Sequence, residues 1–264
     1  MKLALALCLA SLVGCSATRQ GSETNASTRV GADDPLVEYS GRTEGLGTPK
    51  VTLGYSGARV RLRFEGESLG MWMDDETGDN SVMVWIDGEE RGKIPLDAAD
   101  GYYPLADGLK RGPHTVEVVR ATEGALGLIH FRGFSLEGQA KALAWQRGKD
   151  RKIEFIGDSI TCGYGVEVDD PNLHFDPATE NFCLSYSGLA ARRLDADYLV
   201  VARSGIGMVR NYNGPREGSE GAMPSVYPNS FFVQPEPKWD FSRFTPDVVC
   251  INLGTNDFST TGVN

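Results

Sequence analysis

Arg151-Lys152-Ile153-Glu154-Phe155-Ile156-Gly157-Asp158-Ser159-Ile160-Thr161-Cys162-Gly163-Tyr164-Gly165 is the stretch on which the reading of this chain turns. Its apolar run predicts a strand. Gly157 lets the backbone turn tightly at the end of that strand, and Ser159 is presented just beyond it. Two later segments repeat the pattern. Tyr198 to Ala202 runs into Arg203-Ser204-Gly205-Ile206-Gly207, and Val248-Val249-Cys250-Ile251 runs into Gly254-Thr255-Asn256-Asp257. Between the first two, Leu184 to Leu194 reads as a helix with Tyr186, Leu189, Ala190 and Leu194 on one face. Near-continuous apolar strands alternating with helices predict a parallel sheet covered on both faces. Ligands of such sheets sit at the carboxyl ends of the strands, where all three polar segments fall. Arg203 to Ser242 is long and rich in Gly, Pro and Asn. Its Tyr212, Tyr227, Phe231, Phe232 and Trp239 predict an ordered wall.

Upstream the periodicity changes to two. Val60, Leu62 and Phe64 alternate with Arg59, Arg61, Arg63 and Glu65, and Val82, Val84 and Ile86 alternate with Ser81, Met83, Trp85 and Asp87. Asp87-Gly88 is a hairpin turn signal. Val116 and Val118 alternate again, and Ile129 to Leu136 reads as one more strand. Short strands at this spacing predict an antiparallel, jelly-roll-like β-sandwich. The predicted organisation is a sandwich at 34–140, a charged linker at 141–150 and a partial α/β domain at 151–264.

The first residues read as an address. Met1-Lys2 is followed by an apolar run from Leu3 to Val13, which as a helix spans about 16 Å against about 30 Å of bilayer core. It is too short to cross and predicts a signal peptide, 1–14. Leu12-Val13-Gly14-Cys15 resembles the bacterial lipobox, which implies lipidation at Cys15 and a flexible tether over 15–33. The alternative is plain secretion after a later cut.

Composition narrows the partners. The chain has 264 residues, 41% hydrophobic and 23% charged, with a net charge of −10. That balance supports a buried core and offers no basic footprint for nucleic acid. Cys162, Cys183 and Cys250 have no metal-ligand spacing, although an envelope location would permit a Cys162–Cys183 disulfide. Asp74-Asp75-Glu76 and Asp169-Asp170 lack the spacing of a calcium loop. Trp72, Trp85 and Tyr102 are either core residues or a sugar platform.

The three strand-end segments together suit acyl transfer. A serine hydroxyl becomes a nucleophile with a base beside it. The tetrahedral intermediate needs donors for its oxyanion, and the Ser159 amide, a glycine amide and the Asn256 side chain can supply three. Taken singly, each has a simpler reading: Ser159 as a helix N-cap, Asn256 as a turn residue and Asp257 as a cap.

Ile156-Gly157-Asp158-Ser159, the Gly207 loop and Gly254-Thr255-Asn256-Asp257 resemble the first three sequence blocks of the SGNH (GDSL-type) hydrolases. The whole 151–165 stretch is similar to the family-2 carbohydrate esterases. So are Trp239-Asp240-Phe241-Ser242, Pro246-Asp247-Val248-Val249 and the sandwich placed ahead of the hydrolase domain. The resemblance covers about Tyr39 to Phe258. It implies Ser159 as nucleophile, Gly207 as oxyanion glycine with Gly205 as its competitor, Asn256 as third donor and Asp158 as an organiser of the turn. It implies removal of O-acetyl groups from plant-type polysaccharides such as xylan, with no metal or cofactor. The partners it implies are an acetylated polysaccharide or oligosaccharide and, through Cys15, a membrane.

The resemblance also expects a catalytic histidine in a fourth block. The three histidines do not match it. His114 reads as a surface residue, His130 as packing, and His174 lies in a loop fifteen residues after Ser159. The histidine is therefore expected beyond residue 264, and the chain without it is expected to be a poor esterase with the third strand as an open edge. Two further readings stand beside the acetyl esterase: another SGNH lipase or thioesterase, and a glycan-binding protein with a degenerate hydrolase domain.

Overall fold

The computed structural model describes residues 27–98, 101–138, 140–145, 150–170 and 172–259. The predicted signal peptide, Cys15 and most of the tether lie outside the described residues; the end of the tether that is described is not flexible chain, because Thr28–Gly31 forms a sheet strand and Val30 and Ala32 are buried in the core. Among those described, no helix is long and apolar enough to cross a membrane.

Two antiparallel sheets make up the N-terminal part. One runs β3 (Thr43–Glu44), β4 (Val51–Leu53), β11 (Ile129–Glu137), β6 (Ser68–Asp75), β9 (Gly101–Ala106), with β1 (Thr28–Gly31) also on β11. The other runs β12 (Lys141–Leu143), β5 (Arg59–Glu65), β10 (Pro113–Arg120), β7 (Ser81–Ile86), β8 (Glu89–Pro95), with β2 (Glu38–Ser40) on β5. The period-two residues form the core between them: Val60, Leu62, Phe64, Val84, Val118 and Phe131 are all buried there. Asp87 and Gly88 take positive φ (54° and 79°) and turn β7 into β8, as a two-residue hairpin requires.

The other face of this second sheet is not solvent. Met83, Trp85 and Val119 pack against Phe155, Phe182 and Tyr198 of the C-terminal part. Arg59 is fully buried, stacked 3.9 Å over the Tyr198 ring and paired with Asp197. Trp85 is thus an interface residue under the Arg192 guanidinium, not a sugar platform. Trp72 and Tyr102 pair on the outer sheet with ring centroids 4.8 Å apart.

The C-terminal part is a parallel sheet in the order β14 (Ala196–Ala202), β13 (Arg151–Gly157), β15 (Val248–Asn252). In register, Gly157 lies beside Ala202 on one side and Asn252 on the other. All three strands therefore end at one level, which sets the three polar segments side by side. Helix α1 (Ser159–Cys162) follows β13, and α2 (Tyr186–Arg193) precedes β14. The face expected for α2 is corrected in part: Tyr186 and Ala190 pack against the core as expected, but Leu189 and Leu194 are exposed while Ser187, Gly188 and Ala191 are buried. Small residues let α2 lie close against the sheet and α1. Coverage on both faces likewise holds for β13 and β14 but not for β15, whose Val248, Val249 and Ile251 are exposed.

The long loop before β15, which contains α3 (Met223–Val226), wraps Arg42 of the sandwich. That guanidinium is fully buried, bonds the Tyr227 and Asn229 carbonyls, and lies near Glu154 and the Tyr227, Trp239 and Phe241 rings. Phe231 and Trp239 are buried in this wall, and Tyr212 is exposed.

Candidate active site

Gly157 closes β13 because nothing larger fits: a Cβ there would lie 1.9 Å from the Thr161 hydroxyl. Asp158 follows as the N-cap of α1, its carboxylate accepting the Ile160 amide at 3.1 Å. The cap is therefore Asp158 and not Ser159, which overturns the simple reading of the serine. Ser159 is the first residue of the helix, half-buried, with its hydroxyl bonded to no group among the described residues. Burial raises the pKa of Asp158 against the opposing pull of that capping bond.

Asn256 ties the three segments together. Its buried side-chain amide donates to the Ile206 carbonyl at 2.8 Å and lies 3.5 Å from the Asp158 carboxylate. One amide thus touches the residue before Ser159 and the residue before Gly207. The Gly207 amide points at the Asn211 side-chain oxygen, 3.0 Å away. A Cβ on Gly207 would come within 1.8 Å of the Arg210 carbonyl, so only glycine fits. Gly205, the competitor, takes φ 76° and makes a turn whose carbonyl accepts the Tyr212 amide.

Asp257 was read from sequence only as a cap, and its reach is larger. Its carboxylate accepts the amides of Met208, Val209 and Arg210 at 2.9, 2.7 and 2.9 Å. Burial pushes its pKa up, but the three amides outweigh burial and hold it below the usual carboxylate range. Asp257 therefore fixes the loop that carries Gly207. Beside it lies an open groove of about 850 Å³, lined by Met208, Val209, Ile251, Leu253 and Phe258.

None of the histidines is hydrogen-bonded to Ser159. His114, expected at the surface, is buried against Asp87 at 2.6 Å and the Lys110 carbonyl at 2.6 Å. His130 bonds Thr52 and Glu76. His174 lines a separate pocket of about 200 Å³ with Tyr164 and Phe175, whose rings stack 4.4 Å apart.

Cys162 and Cys183 are buried free thiols, so the pairing considered from sequence is not made. Among the described residues one group offers metal-type ligand atoms within 4.8 Å of one another: Glu123, Cys162 and Glu180. Glu123 and Cys162 are engaged with one another, whereas neither Glu180 carboxylate oxygen has a hydrogen-bond partner among the described residues. The Glu123 carboxylate accepts the Cys162 thiol at 3.4 Å and the Ser204 amide at 2.5 Å. Burial, followed by the charge of Glu123, pushes the Glu180 carboxyl well above the usual carboxylate range.

Residues 39–145 match the carbohydrate esterase 2 N-terminal family model, and residues 153–264 match the GDSL-like lipase/acylhydrolase model. The chain is 38% identical over 229 residues to the cellulase/esterase CelE of Acetivibrio thermocellus, spanning 86% of this chain and 27% of that protein. It is 30% identical over 252 residues to an acetylxylan esterase / glucomannan deacetylase of Cellvibrio japonicus, spanning 94% of this chain and 68% of that one. A family two carbohydrate esterase from Clostridium thermocellum, solved in complex with cellohexaose, superposes with a TM-score of 0.80 at 36% identity. That alignment covers 85% of this chain and 67% of the solved one.

Proposed function

Because the chain belongs to the family-2 carbohydrate esterases, we propose that it is a serine esterase that removes O-acetyl groups from plant-type polysaccharides such as xylan. The observation that carries this reading is the convergence of three strand ends on Asn256, which reaches both the Ser159 turn and the Gly207 loop. Ser159 attacks the acetyl carbonyl. The amides of Ser159, Gly207 and Asn256 stabilise the oxyanion, Gly207 exchanging its Asn211 partner and Asn256 its 3.5 Å contact to Asp158 for the substrate. The C–O bond to the sugar breaks, the sugar oxygen takes the proton removed from Ser159, and water hydrolyses the acetyl-enzyme to acetate. The proton is carried by a general base, a histidine as the family resemblance implies. No metal or cofactor enters this route.

The proposal extends to organisation and place. A sandwich that takes in β1 at its start and β12 at its end supports a hydrolase unit from 151, and Cys15 anchors the chain to the cell envelope. Labelling by a radioactive fatty acid, lost in Cys15→Ala, tests the anchor.

Acetate release from acetylated xylan and glucomannan by the full-length protein, wild type and Ser159→Ala, tests the activity. The expected result is release by the wild type alone. The apolar groove beside Gly207 favours one competing reading, an esterase of longer acyl chains. A panel of p-nitrophenyl esters decides between them: preference for chains of eight or more carbons would replace the acetyl reading. Glycan binding without turnover would make the chain a binding protein instead.

A further inference from the structure

Glu123 belongs to the sandwich, yet its carboxylate enters the hydrolase unit. It precedes a short 3-10 turn, Gly124–Leu126, and does not cap it. The residue is 4% exposed. One carboxylate oxygen accepts two donors, the backbone amide of Ser204 and the thiol of Cys162. Each donor stands directly behind a member of the proposed site. Ser204 opens the loop that reaches Ile206 and Gly207, and Cys162 ends the helix that Ser159 begins.

The surroundings keep the carboxylate in this role. Arg120, fully buried at the end of β10, bonds the carbonyls of Leu53, Thr122, Glu123 and Gly127 and the Asn80 side chain, which fixes the backbone that carries Glu123. Burial pushes the Cys162 thiol well up, so it stays protonated and donates. Glu180 faces the pair and is fully buried.

We propose that Glu123 is a positioning residue of the ester-cleaving site: a carboxylate supplied by the sandwich that holds the Ser159 helix and the Gly207 loop at a fixed separation. This rests on the reading of Ser159 and Gly207 as reacting groups. Displacing such groups by about 1 Å can cost on the order of 10²-fold in rate. The role explains why a fold whose chemistry lies wholly after residue 150 is joined to a sandwich by a buried polar contact.

Two conservative variants of the full-length protein separate reach from charge. Glu123→Gln keeps the reach and an acceptor oxygen, and its amide can donate to Glu180. Glu123→Asp keeps the charge and withdraws the oxygen by one methylene. We expect Glu123→Gln to stay within about threefold of wild-type kcat on an acetyl ester. Glu123→Asp should lose about 10²-fold in kcat, with KM moving less than about threefold. Amide hydrogen exchange should accelerate in Glu123→Asp at 203–207 and 159–163 and nowhere in the sandwich core. The opposite kcat order, with Asp above Gln, would assign Glu123 a purely electrostatic role and overturn the proposal. So would unchanged exchange at 203–207, or stoichiometric zinc in the purified protein with activity lost on chelation. If the wild type cleaves no acetyl ester, the esterase reading fails. The exchange measurement then still decides whether Glu123 holds the two segments.

Discussion

In the sandwich, β5, β7, β10 and β11 bring their inward apolar side chains to 0–1% exposure, whereas β15 of the parallel sheet leaves Val248, Val249 and Ile251 at 57%, 48% and 63%. The sandwich is closed between two sheets. The parallel sheet is held at its strand ends by polar contacts, those of Asn256, Asp257 and Glu123. Burial in one region and hydrogen bonding in the other should therefore respond to different substitutions. Sandwich core changes should move stability, and strand-end changes should move the chemistry.

Ser159→Ala gives the largest expected effect. Loss of the nucleophile should lower kcat by about 10⁴-fold or more, while unfolding free energy stays within about 0.5 kcal/mol, as for changes outside core packing. Steady-state kinetics beside urea unfolding of the full-length protein measures both. A stability loss of several kcal/mol would break the division, because it would make Ser159 a packing residue. Phe131→Ala is the reciprocal change. Phe131 is fully buried with its ring centroid 4.8 Å from that of Phe134. Its truncation should cost about 3–5 kcal/mol and leave kcat of the folded protein unchanged. Asn256→Ala comes next. Removing one oxyanion donor should cost about 10²–10³-fold in kcat. An effect on KM alone would show that Asn256 positions the loop without touching the reacting oxygen.

The same contrast governs what the chain disclosed in advance. Val60, Leu62 and Phe64 were legible because a half-buried strand has period two, and Asp87-Gly88 because that turn needs two residues at positive φ. The three strand ends were legible because each apolar run gives way within three residues to a glycine-containing polar segment, at Gly157, Gly205 and Gly254. What stayed hidden depends on contacts between distant segments. Arg59 and Trp85 lie on the face that alternation leaves for solvent, and a second unit covers them. Leu189 and Leu194 look like a helix stripe, but Gly188 lies against the Phe182–Cys183 backbone and Ala191 enters the core in their place. Glu123 reaches Ser204 across 81 positions, and no local pattern encodes such a contact.

A smaller effect tests the hairpin end of the sandwich. Burial opposes a charge on His114, but its bonds to Asp87 and to the Lys110 carbonyl outweigh burial and raise its pKa above the ordinary value. Burial also pushes Asp87 up, and the His114 and Thr115 donors outweigh it and lower Asp87. The His114 contribution is thus present below about pH 6.5 and lost as pH rises through the raised value. The Asp87 contribution is present above about pH 3.9 and lost as pH falls through the lowered one. Asp87 is partly exposed, so the pair should contribute less than about 1 kcal/mol. The stability difference between wild type and His114→Gln should be largest near pH 5.5 and shrink by pH 9. A difference that does not vary with pH would remove this pair from the account.

Ile251→Ala should have the smallest effect and bears most directly on the contrast between the two regions. Ile251 carries the same kind of side chain as Ile129, but its neighbours differ. Ile129 is fully enclosed between sheets, and Ile251 is 63% exposed on β15. Truncation at a site already in water removes little buried surface and leaves no cavity, so the cost should stay within about 0.5 kcal/mol. Ile129→Ala in the same protein should cost about 2–5 kcal/mol. Urea unfolding of both variants measures the gap. If Ile251→Ala costs as much as Ile129→Ala, the outer face of β15 is covered in the full-length protein by a surface outside the described residues. The apolar groove beside Gly207 would then be an internal seam of the hydrolase unit, and the longer-acyl reading would lose its support.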